Sequence, residues 1–481
     1  MGDSKSSQFR PSFNGSLRIE GRPEKLTSHA GLVLLRELDE RLGITTNLAK
    51  SLVDERSPHR IKHSMSQMLR TSTYAMAIDS AHATDAAARG DDAVFQMATS
   101  DKRGLSMLDD DATIASQPTL SRLFSCLSSE ANLPKLRGAL FDSAVAAVHA
   151  TTKGEKLDQV TLDIDSYPIR VHGNQAGTEY NGYYKSVCYH PLAVMLGETS
   201  HWLDLELRPG NVHTAKGAET MLAPLIDRAR EELSNDVAMR GDAGFVNPEL
   251  LDMLEDKGVP YALRLPTNDT LKDFENIHAV RPQGRPPGYE RIWTHEIHYR
   301  TLRWKEERRV VLVVVEQPGE LFLRSFFIVT NYDTSDPCGR DVLDFYRERG
   351  TMEAHIGEMQ SIINGRLSST NRKKSTYKKQ PVAQHEEPFD PERVNAAALC
   401  LHGLSFNLLT RFRSLAGSSD FIDEPPELGL KRARTLLLTA GRVLVSGRQA
   451  TLVIRDVAMS GWRRVMDRIV GLHPRGRPLA A

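Results

Sequence analysis

Four cysteines in 481 residues, Cys126, Cys188, Cys338 and Cys400, leave little for cysteine chemistry to build on. They stand far apart and form no Cys-x-x-Cys pair, which argues against a zinc ribbon or a disulfide framework and fits a reducing, cytoplasmic compartment. No run of about 18 uncharged apolar residues occurs, so no membrane span is expected. The opening stretch, Met1 to Ser16, is polar and lacks the apolar core of a secretory signal; a flexible arm is expected there. No internal repeat is visible. Net charge is missing as well: 62 Lys and Arg balance 62 Asp and Glu. Taken alone, that balance counts against a nucleic-acid binder, but the distribution of charge matters more than its sum.

The distribution is uneven. Between Gly365 and Gln380 stand six basic residues and no acid: Arg366, Arg372, Lys373, Lys374, Lys378 and Lys379. From Lys431 onward, eleven basic residues face only Asp456 and Asp467. Acids gather earlier, as in Asp109, Asp110 and Asp111. Such segregation can present a basic face to phosphate and an acidic pocket to metal. A solvated surface with a disordered basic loop accounts for the same charges. The length suggests more than one domain, and 40% hydrophobic residues suffice for a sizeable core.

The chain to about Gly154 reads as helical. Ala30 to Leu52 and His63 to Ala88 carry apolar residues at helical spacing, and Leu133 to Ala150 forms a further amphipathic helix. Pro118 suits a first helical turn. Strands are then expected at Gln159 to Ser166, at Ile169 to His172 as an extension or successor, at Tyr183 to Leu196 and at His201 to Leu207. Helix Ala218 to Leu233, strand Asp236 to Arg240, helix Pro248 to Lys257 and strand Pro260 to Leu265 follow. Antiparallel strands followed by αβ units make a mixed α/β sheet flanked by helices, the order of the ribonuclease-H fold. Arg291 to Trp304, Arg308 to Gln317 and Leu321 to Tyr332 read as further strands, rich in Val, Phe, Ile and Tyr. They form a β-rich insertion at about residues 266–335. A helix is expected from Gly339 to Ile363, a mobile basic loop over 366–388, an apolar helix from Arg393 to Leu415, and two more elements between Leu430 and Ile469. The domain plan is therefore a helical region over 1–154, a catalytic α/β domain over 155–365, the loop, and a helical C-terminal region over 389–481.

Three acids stand where chemistry could happen. In Leu162-Asp163-Ile164-Asp165, strand periodicity puts both carboxylates on one face, and Asp165 lies at the strand's end, where a pocket can open. Asp242 follows the short strand, among Gly241, Ala243 and Gly244, small residues that leave room for a ligand or phosphate to approach the backbone. On the helix after the insertion, Tyr346, Arg349, Glu353 and Gln360 point within about 60° of one another at 3.6 residues per turn. Each feature alone has an ordinary explanation: a surface pair, a turn residue, an exposed helical glutamate. Together they suggest phosphodiester cleavage, in which two metal ions roughly 4 Å apart clamp the attacking and leaving oxygens. Mg²⁺ takes oxygen ligands, carboxylates among them. His172, Tyr183, His190 and His213 match no zinc spacing.

These residues resemble a known family. The chain is similar to bacterial insertion-sequence transposases with a group 1 DDE domain, specifically the family designated thirteen-eighty of the insertion-sequence-four superfamily. The resemblance runs from about Gly31 to Ile469. It rests on Ala115 to Arg122, on Asp85 to Asp92, on Leu162 to Ser166, on Val171 to Gln175 and on Tyr180 to Tyr184. Leu207-Arg208-Pro209-Gly210-Asn211 and Arg240-Gly241-Asp242-Ala243-Gly244-Phe245 complete it. The superfamily's Tyr-Arg-Glu-Lys helix signature is met by Tyr346, Arg349 and Glu353, while Gln360 stands where lysine is usual.

The resemblance implies that Asp165, Asp242 and Glu353 are catalytic and ligate Mg²⁺, with Mn²⁺ as a substitute. Asp165 would bridge both ions, with Asp163 as the alternative first acid. Tyr346, Arg349 and the residue at Gln360 would contact DNA. The β-rich insertion would help handle a hairpin or flipped base. Trp293 and Trp304 could stack on such a base, or form the core of a small sheet of their own. The N-terminal helices would bind double-stranded DNA at terminal inverted repeats, and the C-terminal helices would dimerise to form a synaptic complex. Target DNA would be the second substrate, and the setting cytoplasmic and nucleoid-associated. The alternatives are a decayed or domesticated DNA-binding protein, and a ribonuclease-H-fold nuclease that cuts without joining.

Overall fold

The computed structural model describes residues 12–13, 16, 25–79, 82–102, 104, 113–171, 173, 175–284, 288–333, 338–363, 367–369, 390–417, 429–447 and 449–472. Most of the expected basic loop, residues 370–388, lies outside them, as does His172.

The chain opens with strand β1 (Lys25–Thr27). Helices α1 (Leu32–Leu42), α2 (Ile44–Ser51), α3 (Met65–Ala77), α4 (Ala83–Ala87), α5 (Ala93–Thr99), α6 (Gln117–Leu127) and α7 (Leu133–Thr152) follow. The apolar stretch from Ala30 to Leu52 forms two helices rather than one. Gly43 adopts φ of 70°, a left-handed conformation that ends α1 and redirects the chain.

The α/β region contributes β2 (Gln159–Ser166), β3 (Ile169–Arg170), β4 (Glu179–Asn181), β5 (Ser186–Tyr189), β6 (Leu192–Leu196) and β7 (His201–Glu206). Helix α8 (Ala218–Glu232), β8 (Asp236–Gly241), α9 (Pro248–Asp256), β9 (Tyr261–Leu265) and α10 (Asp269–His278) come next. Strands β10 (Arg291–Tyr299), β11 (Arg308–Glu316) and β12 (Arg324–Thr330) lead to α11 (Gly339–Arg347) and α12 (Gly350–Ile363). The expected single strand from Tyr183 to Leu196 is two, in different sheets. Pro191 separates them, and proline has no N–H to give to a ladder.

Eight strands form one sheet in the order β10-β11-β12-β9-β8-β2-β6-β7. Towards one edge β7, β6 and β2 are antiparallel neighbours, while β2, β8 and β9 run parallel. Five strands in that order and polarity are the ribonuclease-H-like mixed sheet the sequence suggested. The β-rich insertion is not a separate small sheet: β12 pairs antiparallel with β9, and the insertion extends the main sheet. Trp304 is buried in the core that this extension shares with α8 and α9, and Trp293 packs against it. Neither lines the acidic cleft.

Alternation along β11 explains its unbroken apolar run. Val310, Leu312 and Val314 enter the core under α8 and α9, and Val311, Val313 and Val315 pack with Val342 and Leu343 of α11 on the opposite face. The extension thus gives α11 a floor. On β2 the same alternation buries Leu162 and Ile164 in the first core and turns Asp163 and Asp165 to the other face.

Beyond α12, the chain forms α13 (Pro391–Gly417), α14 (Leu430–Leu437), hairpin β13 (Gly441–Ser446) and β14 (Gln449–Val453), and α15 (Asp456–Gly471). The hairpin was not expected; its β13 pairs with the N-terminal β1. Helix α13 lies across α7 and β7 in a core shared with the N-terminal helices. Its Asn407 accepts a hydrogen bond from the Trp202 N–H at 2.7 Å and donates to the Trp202 carbonyl at 2.8 Å. That side chain serves the free edge of β7 as a neighbouring strand would.

Candidate active site

Three elements meet at a cleft of about 650 Å³ lined by Asp165, Asp242 and Glu353, and also by Tyr346, Arg349 and Gln360. Asp165 ends β2, Asp242 follows β8, and Glu353 lies in the first turn of α12. The parallel pairing of β2 with β8, which sets Ile164 opposite Gly241, brings the first two acids to the same end of the sheet.

The helix carrying the third acid is broken. Tyr346 belongs to α11, Glu353 and Gln360 to α12, and Arg349 sits at the junction. The continuous helix expected from Gly339 to Ile363 is interrupted by a group far away in sequence. The Phe345 carbonyl, which would accept the Arg349 N–H in an uninterrupted helix, accepts instead from Arg240 Nη1 at 2.9 Å. The Arg349 N–H turns to the Tyr346 carbonyl at 3.1 Å.

Arg240 also settles the place of Asp163. Its Nε and Nη2 reach the two Asp163 oxygens at 2.7 and 2.9 Å, and its Nη1 reaches Glu348 at 2.8 Å. Both Asp163 and Arg240 are buried. Burial opposes the charge of Arg240, but the hydrogen bonds and charge of Asp163 outweigh it and hold the guanidinium above its usual range. Asp163 does not line the cleft. One arginine thereby joins the first acid's strand, the second acid's strand and the turn before the third acid.

Asp165 has a different neighbour. Arg349 gives Nη2 to Asp165 Oδ2 and Nη1 to Glu353 Oε1, each at 2.6 Å. The Asp165 side chain is about 10% exposed, that of Glu353 62%. Burial pushes the Asp165 carboxyl up to about 6; Arg349 works against this, while Asp242 and Glu353 add to it. Asp242 accepts the Gly244 N–H at 2.8 Å and so caps the short turn Ala243–Phe245. The glycines around it serve packing rather than a ligand. A Cβ at Gly244 would lie 2.7 Å from the Thr214 methyl, and one at Gly241 3.0 Å from Ile164 and Leu263. Gln360 donates to the Pro168 carbonyl at 3.2 Å and steadies the loop that follows Asp165.

The donors suit a hard cation: all three are carboxylates, and one is held high in pKa by burial and by like charge, which a divalent ion would relieve. Among the described residues, however, no group of three His, Cys, Asp or Glu side chains converges closely enough to hold an ion. Arg349 spans two of the three acids, so holding a metal requires its guanidinium to move.

Among the cleft residues that sequence reasoning did not assign to the site are Arg170, Tyr184 and Arg264. Arg264 interrupts the apolar strand β9 and is exposed, its guanidinium 5.5 Å from the Phe326 ring. A lone cation in an apolar strand was the available signal. Arg170 and Tyr184 come from the β3-β5-β4 region, where short strands and turns leave little pattern to read.

No curated protein matches the chain. Among solved structures, it is similar to the piggyBac transposase in a synaptic complex with hairpin DNA, at 12% identity and a TM-score of 0.35, covering 96% of this chain and 90% of that one. A likeness that loose carries no argument about the site. Among the described residues no helix is long and apolar enough to cross a membrane. The profile of the transposase DDE domain, group 1, matches residues 9–461, nearly the full length; the chain belongs to that family of DDE transposases.

Proposed function

We propose that this protein cuts and joins DNA at the ends of a bacterial insertion sequence, by metal-dependent cut-and-paste transposition, with Asp165, Asp242 and Glu353 as its catalytic acids. The observation that carries the reading is the meeting of these three carboxylates, from β2, the β8 turn and α12, in one cleft of a ribonuclease-H-like sheet.

Bound at these oxygens, Mg²⁺ or Mn²⁺ would activate water and stabilise the leaving oxygen of a phosphodiester. The chain's own residues do the rest. Arg349, once released from Asp165 and Glu353, becomes available to a DNA phosphate beside the cut. Tyr346 presents a hydroxyl whose pKa burial raises, so it donates rather than ionises. Arg170 and Arg264 add positive charge at the cleft wall and suit the backbone on either side. Gln360, occupied with Pro168, contributes position rather than charge. The N-terminal helices take the terminal inverted repeats, and pairing of two chains forms the synaptic complex.

The test is incubation of the purified chain with Mg²⁺, linear DNA carrying the element's own ends and a plasmid target. Release of the element and its covalent insertion into the plasmid are expected. Cleavage without insertion would reduce the protein to a nuclease, and binding without cleavage to a DNA-recognition module.

A further inference from the structure

Two buried arginines serve the acids in different ways. Arg240 spends two nitrogens on one carboxylate, Asp163, and the third on Glu348 and the Phe345 carbonyl. Every nitrogen is used, as in a permanent clamp. Arg349 instead divides its fork between carboxylates on different elements, Asp165 of β2 and Glu353 of α12, at 2.6 Å each. Its Nε is buried with no hydrogen-bond partner among the described residues. A buried donor left unpaired is costly, so this pose is a compromise rather than a closed network.

Charge points the same way. Burial works against the charge of Arg349, but the carboxylates of Asp165, Asp242 and Glu353 outweigh burial and keep its pKa raised. One cation thus stands against three carboxylates. The oxygens it occupies, Asp165 Oδ2 and Glu353 Oε1, belong to the acids assigned to the metal. A guanidinium and a divalent ion repel each other and compete for the same oxygens. Glu353 is the looser anchor, its side chain 62% exposed against about 10% for Asp165. A phosphate matches the planar fork as well as a carboxylate does, and so offers Arg349 a replacement for the bonds it gives up. Whatever draws the guanidinium off the acids then favours the metal, and the metal favours the phosphate by the same factor.

We propose that Arg349 is a displaceable counter-ion that couples the two ligands of the cleft. It closes Asp165 and Glu353 to divalent ions until a DNA phosphate engages its guanidinium, so that metal and DNA strengthen each other's binding. The proposal rests on the transposase reading above and adds a regulation of its site, by which the chain away from DNA holds its metal weakly.

The experiment is calorimetric titration of Mn²⁺ into the full chain, alone and saturated with a duplex of the element's own end. That duplex is already cut at the terminus and closed with a 3′-dideoxy nucleotide, so it offers no terminal bond to cut and no hydroxyl to join. The duplex should tighten Mn²⁺ binding by about tenfold or more, within the usual range of coupling between sites. Without DNA, Arg349→Gln should bind Mn²⁺ at least about tenfold tighter than the unaltered chain, and the duplex should add less. Arg349→Lys keeps the charge and loses the fork; it should also bind tighter than the unaltered chain, and it carries the test if Arg349→Gln does not fold. Mn²⁺ affinity in Arg349→Gln equal to or below that of the unaltered chain would overturn the counter-ion and leave the transposase reading standing. So would an affinity in Arg349→Lys equal to that of the unaltered chain, or one in the unaltered chain that the duplex leaves unchanged. Absence of Mn²⁺ binding in the unaltered chain, with and without the duplex, would overturn both.

Discussion

Asp163 and Asp165 lie two positions apart on one strand and one face, yet Arg240 makes them unlike. Asp163 forms a buried, two-pronged ion pair; Asp165 looks into the cleft and shares Arg349 with Glu353. From sequence the two acids could not be separated, because Arg240 is 77 positions away and pairs with Asp163 only through the β2–β8 register. The difference has a measurable consequence. Asp163→Asn removes the buried one of the two carboxylates that Arg240 holds and leaves it the exposed Glu348, at a cost of about 3 kcal/mol. Chemical unfolding should show that loss, with metal binding retained where the variant is folded. Asp165→Asn should lose metal binding at a smaller cost in stability, because burial and the like charges of Asp242 and Glu353 already oppose its charge and Arg349 keeps Glu353. A stable Asp163→Asn chain that no longer binds metal would exchange the two roles.

At the scale of elements, the strands around the acids were legible because each alternates against one buried face, and β2 begins and ends where its pattern does. What escaped was set by distant groups. The α11–α12 break follows from Arg240 taking the Phe345 carbonyl, with Gly350 at the start of α12 as a weak local sign. The joining of the insertion to the main sheet depends on pairing between β9 and β12, which a sequence does not display. Strand β7 shows a further effect of packing. His201 at its start gives one ring nitrogen to Thr199 and buries the other without a partner among the described residues. Burial, followed by the charges of Arg411, Arg413 and His355, lowers its pKa from 6.5 to about 3. The sign is fixed: the unfolded chain takes up this proton below pH 6.5 while the folded chain refuses it until about 3. Stability from this group is whole above pH 6.5 and is lost on acidification, at up to about 1.4 kcal/mol per pH unit. Unfolding free energies between pH 7 and 5 should therefore fall less steeply in His201→Asn than in the unaltered chain; equal slopes would show that His201 titrates normally.

Across the whole molecule, the acids depend on regions far from them in sequence. Helix α13 packs on α7 and β7, Asn407 closes the β7 edge, and β1 joins the C-terminal hairpin. The sheet that aligns Asp165 with Asp242 thus packs against N-terminal helices and a C-terminal helix that share one continuous core. That union was not readable from sequence, where the two regions are separated by the entire α/β domain. The central claim, however, concerns three carboxylates from three elements of that sheet acting as one metal site. Calorimetric titration of Mn²⁺ into the purified chain and into its Asp165→Asn, Asp242→Ala and Glu353→Gln variants tests it most directly. Saturable binding in the unaltered chain, abolished or weakened at least about tenfold in each variant with the fold retained, is the predicted result. Unchanged Mn²⁺ binding in all three variants would contradict it.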